Sequence, residues 1–102
     1  MSDVSAADRT VMAGADLGGP GGPDAARCSK AAIDSLSRIA GPDMRLTQFQ
    51  LDLSSHAIGE DEVAITARID KRTRSIVFAS VEARVGDALV FRAQALFSKR
   101  SQ

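Results

Sequence analysis

The chain has 102 residues, of which 44% are hydrophobic and 25% are charged, and its 13 basic side chains balance 13 acidic ones. This length suits one domain with a modest core and is too short for two. A neutral chain with four Phe and no Trp or Tyr lacks the basic surface and the aromatic platform of nucleic-acid binding proteins. We therefore expect a single domain over residues 1–102, cytoplasmic, with neither nucleic acid nor a membrane as partner.

The cysteine and histidine content limits the chemistry further. A single cysteine, Cys28, excludes an intramolecular disulfide and fits a reducing compartment. One Cys and one His cannot supply the usual ligands of a zinc site. The glycine-rich run at 18–23 lacks the Lys-Ser/Thr step of a P-loop. We therefore expect no metal and no resident cofactor.

The first forty residues predict a flexible segment followed by a helix. Residues 1–10 are small and polar, and the apolar residues among 11–17 indicate at most a short first strand. Five Gly and two Pro between 14 and 23 predict a loop, so residues 1–23 are expected to be flexible. Asp24 is a suitable N-cap, and Gly41-Pro42 ends the helical pattern.

The remaining residues predict an antiparallel sheet. A strand is expected over 44–53, with Thr47, Phe49, Leu51 and Leu53 on one face. Period-two alternation then predicts strands over 61–70, 75–85 and 88–98, with turns at 71–73 and at Gly86-Asp87. The predicted class is α+β, with a sheet that curls around one central helix.

Three segments of the sheet resemble a known family. ITARIDKRTRSIVF (65–78), VGDALV (85–90) and AQALF (93–97) are similar to the C-terminal strands of hotdog-fold acyl-CoA thioesterases, especially those of the phenylacetate-pathway type. The resemblance implies a central helix wrapped by an antiparallel sheet, and a homodimer or dimer of dimers whose sheets join. It also implies acyl-thioester sites at the dimer interface, with coenzyme A present only as part of the substrate.

The chain departs from the family's pattern before and within the helix. Many members carry His-Gly-Gly where this chain has Pro20-Gly21-Gly22, and they place an acid on the helix where this chain has Cys28, Ser29 and Lys30. Two functions therefore stay open: hydrolysis of acyl thioesters, or a non-catalytic binding or assembly module. A cone-shaped pocket protein of the polyketide-cyclase type is a third alternative, which a monomer with a closed cavity would favour.

The candidate catalytic residues precede the helix. Backbone N–H groups of Gly21 and Gly22, together with the helix N-terminus, would polarise a thioester carbonyl and stabilise its oxyanion. Asp24 would orient or deprotonate the hydrolytic water. The simpler interpretations are a flexible linker for the glycines and an N-cap for Asp24.

The candidate substrate-binding residues lie in the sheet. Lys71, Arg72 and Arg74 would hold the phosphates of coenzyme A through charge-assisted hydrogen bonds, although an exposed hairpin also favours such charges. The acyl chain is expected between the helix and the sheet, near Phe49 and Phe78.

Three other reactive side chains are expected to be structural. Asp34 lies between Lys30 and Arg38 at helical spacing, which is typical of a solvated ion-paired face. His56 is expected in a surface loop. Cys28 falls on the apolar helix face, where a free thiol behaves as a small hydrophobic group.

Overall fold

The structure, a computed structural model, describes residues 7–19, 22–55 and 59–100. Within these residues one α-helix, α1 (Ala25–Ala40), packs on one face of a five-stranded antiparallel sheet with the strand order β1-β5-β6-β7-β4. The strands are β1 (Ala7–Ala13), β2 (Gly18–Gly19), β3 (Gly22–Pro23), β4 (Met44–Leu53), β5 (Glu62–Arg72), β6 (Ile76–Val85) and β7 (Ala88–Lys99). The short strands β2 and β3 pair only with each other.

The helix has the ends that the sequence predicts. The carboxylate of Asp24 accepts a hydrogen bond of 3.0 Å from the backbone N–H of Arg27, and Gly41 ends the helix with φ of 98°. A stripe of small residues faces the sheet, and Cys28 and Ala32 within it are fully buried. Because these side chains are short, the helix approaches the sheet closely.

Strand β4 has the predicted bounds, and of the four residues predicted to share its inward face Phe49 and Leu51 lie there, whereas Thr47 and Leu53 are exposed. Its pairing with β7 shifts between Leu46 and Gln48, so Thr47 is an extra residue in a β-bulge. The Thr47 hydroxyl donates instead to the backbone oxygen of Leu96 at 3.0 Å. Phe49 and Leu51 pack against the core as expected, but Thr47 does not join them, because the bulge reverses the alternation at that point.

Strand β5 runs further than predicted. The sequence places a turn at 71–73, whereas the strand continues to Arg72 after a second bulge between Ile69 and Lys71. The bulge places Arg72 opposite Val77, a fully buried residue on the helix side of the sheet. Arg72 therefore faces the helix, and the turn of the hairpin begins at Thr73.

The first strand is longer and earlier than predicted. Residues Ala7–Ala13 pair with β5 from Ala7 opposite Arg68 to Ala13 opposite Glu62, where the sequence indicates a flexible segment. Of the side chains that alternate inward, Asp8, Thr10 and Met12, only the last is apolar, so the hydrophobic period is too weak to reveal the strand. The strand is instead held in place by its pairing with β5 over all seven residues.

The core lies between α1 and the sheet. Its largest fully buried side chains are Phe91, Phe97, Leu17, Leu36 and Ile65. Among residues 7–19, 22–55 and 59–100, the sheet ends in β1 on one side and β4 on the other, so β4, ten residues long, pairs there along one edge only. An edge of this length is a ready site for pairing with another strand.

Candidate functional site

Just before the helix, β2 and β3 form a short antiparallel pair. Gly19 lies opposite Gly22 and Gly18 opposite Pro23, and the backbone N–H of Asp24 donates to Leu17 at 2.8 Å. Gly22 is buried and has a φ of 106°, which favours glycine. A Cβ at Gly18 would collide with the carbonyl oxygen of Gly22. Gly21 lies outside the described residues, so its predicted role stays a prediction.

Asp24 and Cys28 share the first turn of α1. The capping role of Asp24 is confirmed by its hydrogen bond to Arg27, and a role in water activation stays a prediction. Cys28 is fully buried, and its Sγ lies 3.5 Å from the backbone oxygen of Leu17. Burial, aided by the charge of Asp24, raises the pKa of this thiol to about 11. Cys28 is therefore a core residue and not a nucleophile.

Arg72 interacts with the other end of the helix. Its Nη2 donates to the backbone oxygen of Ile39 at 3.1 Å and of Ala40 at 3.5 Å. These carbonyls end the helix without intrahelical partners, and a cation there also complements the helix dipole. Arg72 therefore caps the C-terminal end of α1. Lys71 and Arg74 are exposed, and their predicted contact with phosphates stays a prediction.

The two phenylalanines lie on opposite faces of the sheet. Phe49 is partly buried and packs against the core. Phe78 is 42% exposed, because its neighbours Val77 and Ala79 occupy the helix side of β6. It lies in a shallow hollow of the outer face beside Gln94. An acyl chain between helix and sheet would therefore not meet Phe78, which is on the outer face, and its contact with Phe49 stays a prediction.

The candidate catalytic and phosphate-binding residues lie at opposite ends of the molecule. Gly22 and Asp24 are at the start of α1, and Arg72 contacts its last residues. A helix of 16 residues separates them by about 24 Å. One chain alone therefore does not bring the two sets together.

Charge is divided between the same two ends, although the net charge is zero. The end with the helix start carries Asp16, Asp24, Asp52, Glu60, Asp61, Glu62 and Asp87, beside Arg27, Arg84 and Arg92. The end with the helix terminus carries Arg38, Arg45, Lys71, Arg72, Arg74, Lys99 and Arg100, beside Asp8, Asp43 and Asp70. An anionic ligand is therefore attracted to the second end.

A polar cluster that the sequence does not reveal ties α1 to β1. The Arg38 guanidinium donates to both carboxylate oxygens of Asp8, at 2.9 and 3.1 Å, and to the hydroxyls of Thr10 and Ser35. The hydrogen bond from Arg38 holds the pKa of Asp8 below its usual value. Asp8 and Arg38 are 30 positions apart in the chain, so no local pattern predicts the ion pair.

The remaining reactive side chains behave as follows. Asp34 pairs with Lys30 at 2.9 Å on the exposed helix face, as expected. His56 lies outside the described residues.

Among the residues that the structure describes, no group of three or more His, Cys, Asp or Glu is placed to hold a metal ion. No helix in the same part of the chain is long and apolar enough to cross a membrane.

Comparison with known proteins relies on structure, because no family model and no curated protein matches the sequence. Thioesterase superfamily member 2 from zebrafish matches with a TM-score of 0.79 and 13% identity, over 98% of this chain and 79% of that one. The PaaI protein from the phenylacetic acid degradation operon of E. coli matches with a TM-score of 0.77 and 11% identity, over 99% and 76%. A conserved protein from Pseudomonas aeruginosa matches with 0.75 and 21%, over 96% and 82%.

These matches establish the architecture. Identities this low show the fold alone. The three matches nevertheless cover most of this chain and most of each matched protein. The polyketide-cyclase alternative is therefore wrong. One helix against a five-stranded antiparallel sheet in this order is the hotdog fold of thioesterase-superfamily proteins, including those of the phenylacetic acid pathway.

Proposed function

We propose that this chain binds acyl-CoA thioesters, and hydrolyses them, at a site formed by two copies joined along β4. The observation that carries the proposal is the separation of the candidate residues. Gly22 and Asp24 lie at the acidic end of α1, about 24 Å from the basic end that suits a polyphosphate carrier. A site that uses both sets needs a second copy. The thioesterase-superfamily proteins with this fold support the substrate class.

The open edge of β4 supports the second copy. β4 runs from the basic end to the acidic end, and its outer edge has no partner strand among the described residues. Antiparallel pairing of two β4 strands places the basic end of one chain beside the acidic end of the other. Leu53, 39% exposed at the end of the strand, would be covered in this arrangement.

The proposed chemistry uses water as the nucleophile. The amides of Gly21 and Gly22, with the helix N-terminus, polarise the thioester carbonyl. Asp24 positions a water molecule, whose oxygen forms a bond to the carbonyl carbon while its proton passes to the carboxylate. The C–S bond then breaks, and the sulfur leaves and takes the proton. The products are the free acid and the thiol of coenzyme A.

A non-catalytic binding module is the second candidate. The observation that favours it is that the Asp24 carboxylate already accepts the capping hydrogen bond from Arg27. Cys28 offers no alternative, since burial raises its thiol pKa to about 11. In that case the chain would bind acyl-CoA without turnover. The location in the cytoplasm stays a prediction under either function.

Thiol release from a panel of short, medium-length, aromatic and hydroxylated acyl-CoAs tests the proposal. We expect Asp24→Asn to lower kcat at least about tenfold, because Asn preserves the cap but cannot accept a proton. Asp34→Asn is the matched control, since Asp34 is an exposed acid of the same helix paired with Lys30, and it should leave kcat unchanged.

The outcomes separate the candidates. Equal rates for the wild type and Asp24→Asn would remove Asp24 from the chemistry while keeping the enzyme. Absence of turnover with every substrate, together with saturable acyl-CoA binding, would establish the binding module.

A further inference from the structure

A groove lies between α1 and β1, on the flank of the helix that faces away from β4. Its volume is about 410 Å³, which is within the range of small-molecule sites, and the surface that lines it is mostly apolar. Met12, Ala31 and Ile65 form its floor. Strand alternation agrees with this placement, because Thr10, which also lines the groove, and Met12 are inward-facing residues of β1.

The groove opens beside the residues that are proposed to act on the thioester. Arg27 lines one end of it, and the backbone N–H of the same residue donates to the carboxylate of Asp24 at 3.0 Å. Arg38 is the last helical residue that lines it, and the helix rises about 16 Å between the two arginines. A chain attached to a carbonyl at the helix start therefore has room to extend along the floor.

The charges around the groove balance. The charged residues are three of each sign, namely Arg27, Lys30 and Arg38 with Asp16, Asp34 and, through its ion pair to Arg38, Asp8. A balanced rim does not attract a polyphosphate, but it accepts an uncharged chain. The methylene stem of Lys30, which is ion-paired across the rim to Asp34 at 2.9 Å, adds apolar surface to the groove.

The far end of the groove is closed by polar groups. Ser35 is 1% exposed, and its hydroxyl accepts a hydrogen bond of 3.1 Å from Nη2 of Arg38. The same Nη2 donates to the hydroxyl of Thr10. An apolar chain that reached this cluster would remove polar groups from water without a new hydrogen bond, which is unfavourable. The cluster therefore limits the length of a chain in the groove.

The groove also stays open in the proposed dimer. Strands β1 and β4 lie at opposite sides of the sheet, so pairing of two copies along β4 leaves the flank beside β1 uncovered. The site for one part of the substrate is thus contained within a single chain.

We infer that the groove between α1 and β1 binds the acyl chain of the thioester, an inference that rests on the proposed function. The carbonyl lies at the helix start, and the chain extends over Ala31 and Met12 toward Ser35. The substrate class that fits is an unbranched, uncharged acyl chain of medium length. This position differs from the one expected near Phe49, which lies on β4 at the opposite side of the sheet.

The methionine methyl groups report the position of the chain without any turnover. The sequence contains three methionines, and Met44, at the start of β4, is outside the groove that Met12 lines. We expect octyl-CoA, a thioether that cannot be hydrolysed, to shift the NMR signal of the isotope-labelled Met12 methyl relative to coenzyme A alone. The Met44 signal should be the same with both ligands. The spectrum of Met12→Leu assigns the signal.

A variant that fills the groove tests the same inference through the kinetics. Ala31→Leu places a larger side chain on the floor, at a helical position where leucine is well tolerated. We expect it to lower kcat/KM for octanoyl-CoA about tenfold but to leave acetyl-CoA unchanged, because Ala31 is about 10 Å along α1 from Asp24. Ser37→Leu is the matched control, since it adds the same side chain at an exposed position of α1 outside the groove.

Met12→Gln is a second variant, which keeps the size of the side chain but makes the floor polar, and it should also act on octanoyl-CoA alone. Thermal unfolding of each variant checks that the fold is kept. An unshifted Met12 signal, or equal losses with acetyl-CoA and octanoyl-CoA, would overturn the inference and leave the thioesterase proposal standing. A shifted Met12 signal without turnover of any acyl-CoA would support the groove and reject hydrolysis.

Discussion

At the scale of single residues, the structure assigns the ionisable groups to different tasks. Asp24 caps the helix, Asp34 pairs with Lys30 in solvent, and Asp8 holds Arg38 across the gap between β1 and α1. The first two follow from helical spacing, which the sequence shows directly. The third depends on a strand that the hydrophobic pattern does not reveal.

The Asp8–Arg38 pair predicts a dependence of stability on pH. The pKa of Asp8 is lowered in the folded state by its hydrogen bond from Arg38, so the ionised form is favoured by folding. The pair therefore stabilises the protein above the ordinary Asp value of 3.8 and loses this effect as the pH falls through the lower folded pKa. We expect Asp8→Asn to cost roughly 0.5 kcal/mol at neutral pH, since both side chains are partly exposed.

Urea unfolding between pH 7 and pH 3 measures this effect. The difference between wild type and Asp8→Asn should be constant above about pH 5 and shrink below about pH 4. Asp52→Asn is the control, because Asp52 is exposed and has no ion pair among the described residues. A difference that grows on acidification would show that Asp8 does not act through its charge.

At the scale of secondary structure, two β-bulges decide which side chains face the helix. The bulge at Thr47 returns Phe49 and Leu51 to the core, and the bulge after Ile69 turns Arg72 toward the helix terminus. Strict alternation predicts the wrong face for Thr47 and a turn where Arg72 lies in the strand. A bulge has no strong local signature, because it forms where pairing with the neighbouring strand requires an extra residue.

The contact of Arg72 with the helix predicts a loss of stability on substitution. Arg72→Gln should destabilise the protein by about 1 kcal/mol, because it removes a charged donor from the carbonyls of Ile39 and Ala40. For a domain of this size that corresponds to a fall in Tm of about 5 °C. Calorimetry would measure it, with Arg74→Gln as the exposed neighbour that should change little. Equal Tm values for both variants would contradict the capping role.

At the scale of the whole molecule, a chain with zero net charge has an acidic end and a basic end. The polarity follows from topology. The residues just before β5 and the β6–β7 turn are rich in acids and lie at one end of the sheet, and the β5–β6 turn, the start of β4 and the end of β7 are rich in basic residues and lie at the other. Strand β4, with its open outer edge, runs from the basic end to the acidic end. Self-association along β4 is therefore the property on which the proposed function depends.

Leu53→Lys tests that association. Leu53 is 39% exposed, so a lysine there should be tolerated by the single chain, but a charge at the joined edges would be unfavourable. We expect the wild type to sediment as a dimer or larger and Leu53→Lys to sediment as a monomer. Val11→Lys is the control, because Val11 is 56% exposed on β1, at the other side of the sheet. A monomeric wild type would contradict the dimer.

The sequence by itself determined the helix with both of its caps, the bounds of β4 and the Gly86-Asp87 turn, because these features follow from local backbone preferences and short-range periodicity. The hotdog class was predicted from the resemblance of residues 65–97 to a known family. Only the tertiary structure decided the place of β1, the outward face of Phe78 and the contact of Arg72 with the helix. Each depends on residues far apart in the chain. Strand pairing fixes these positions, and pairing is a property of two segments that neither one encodes alone.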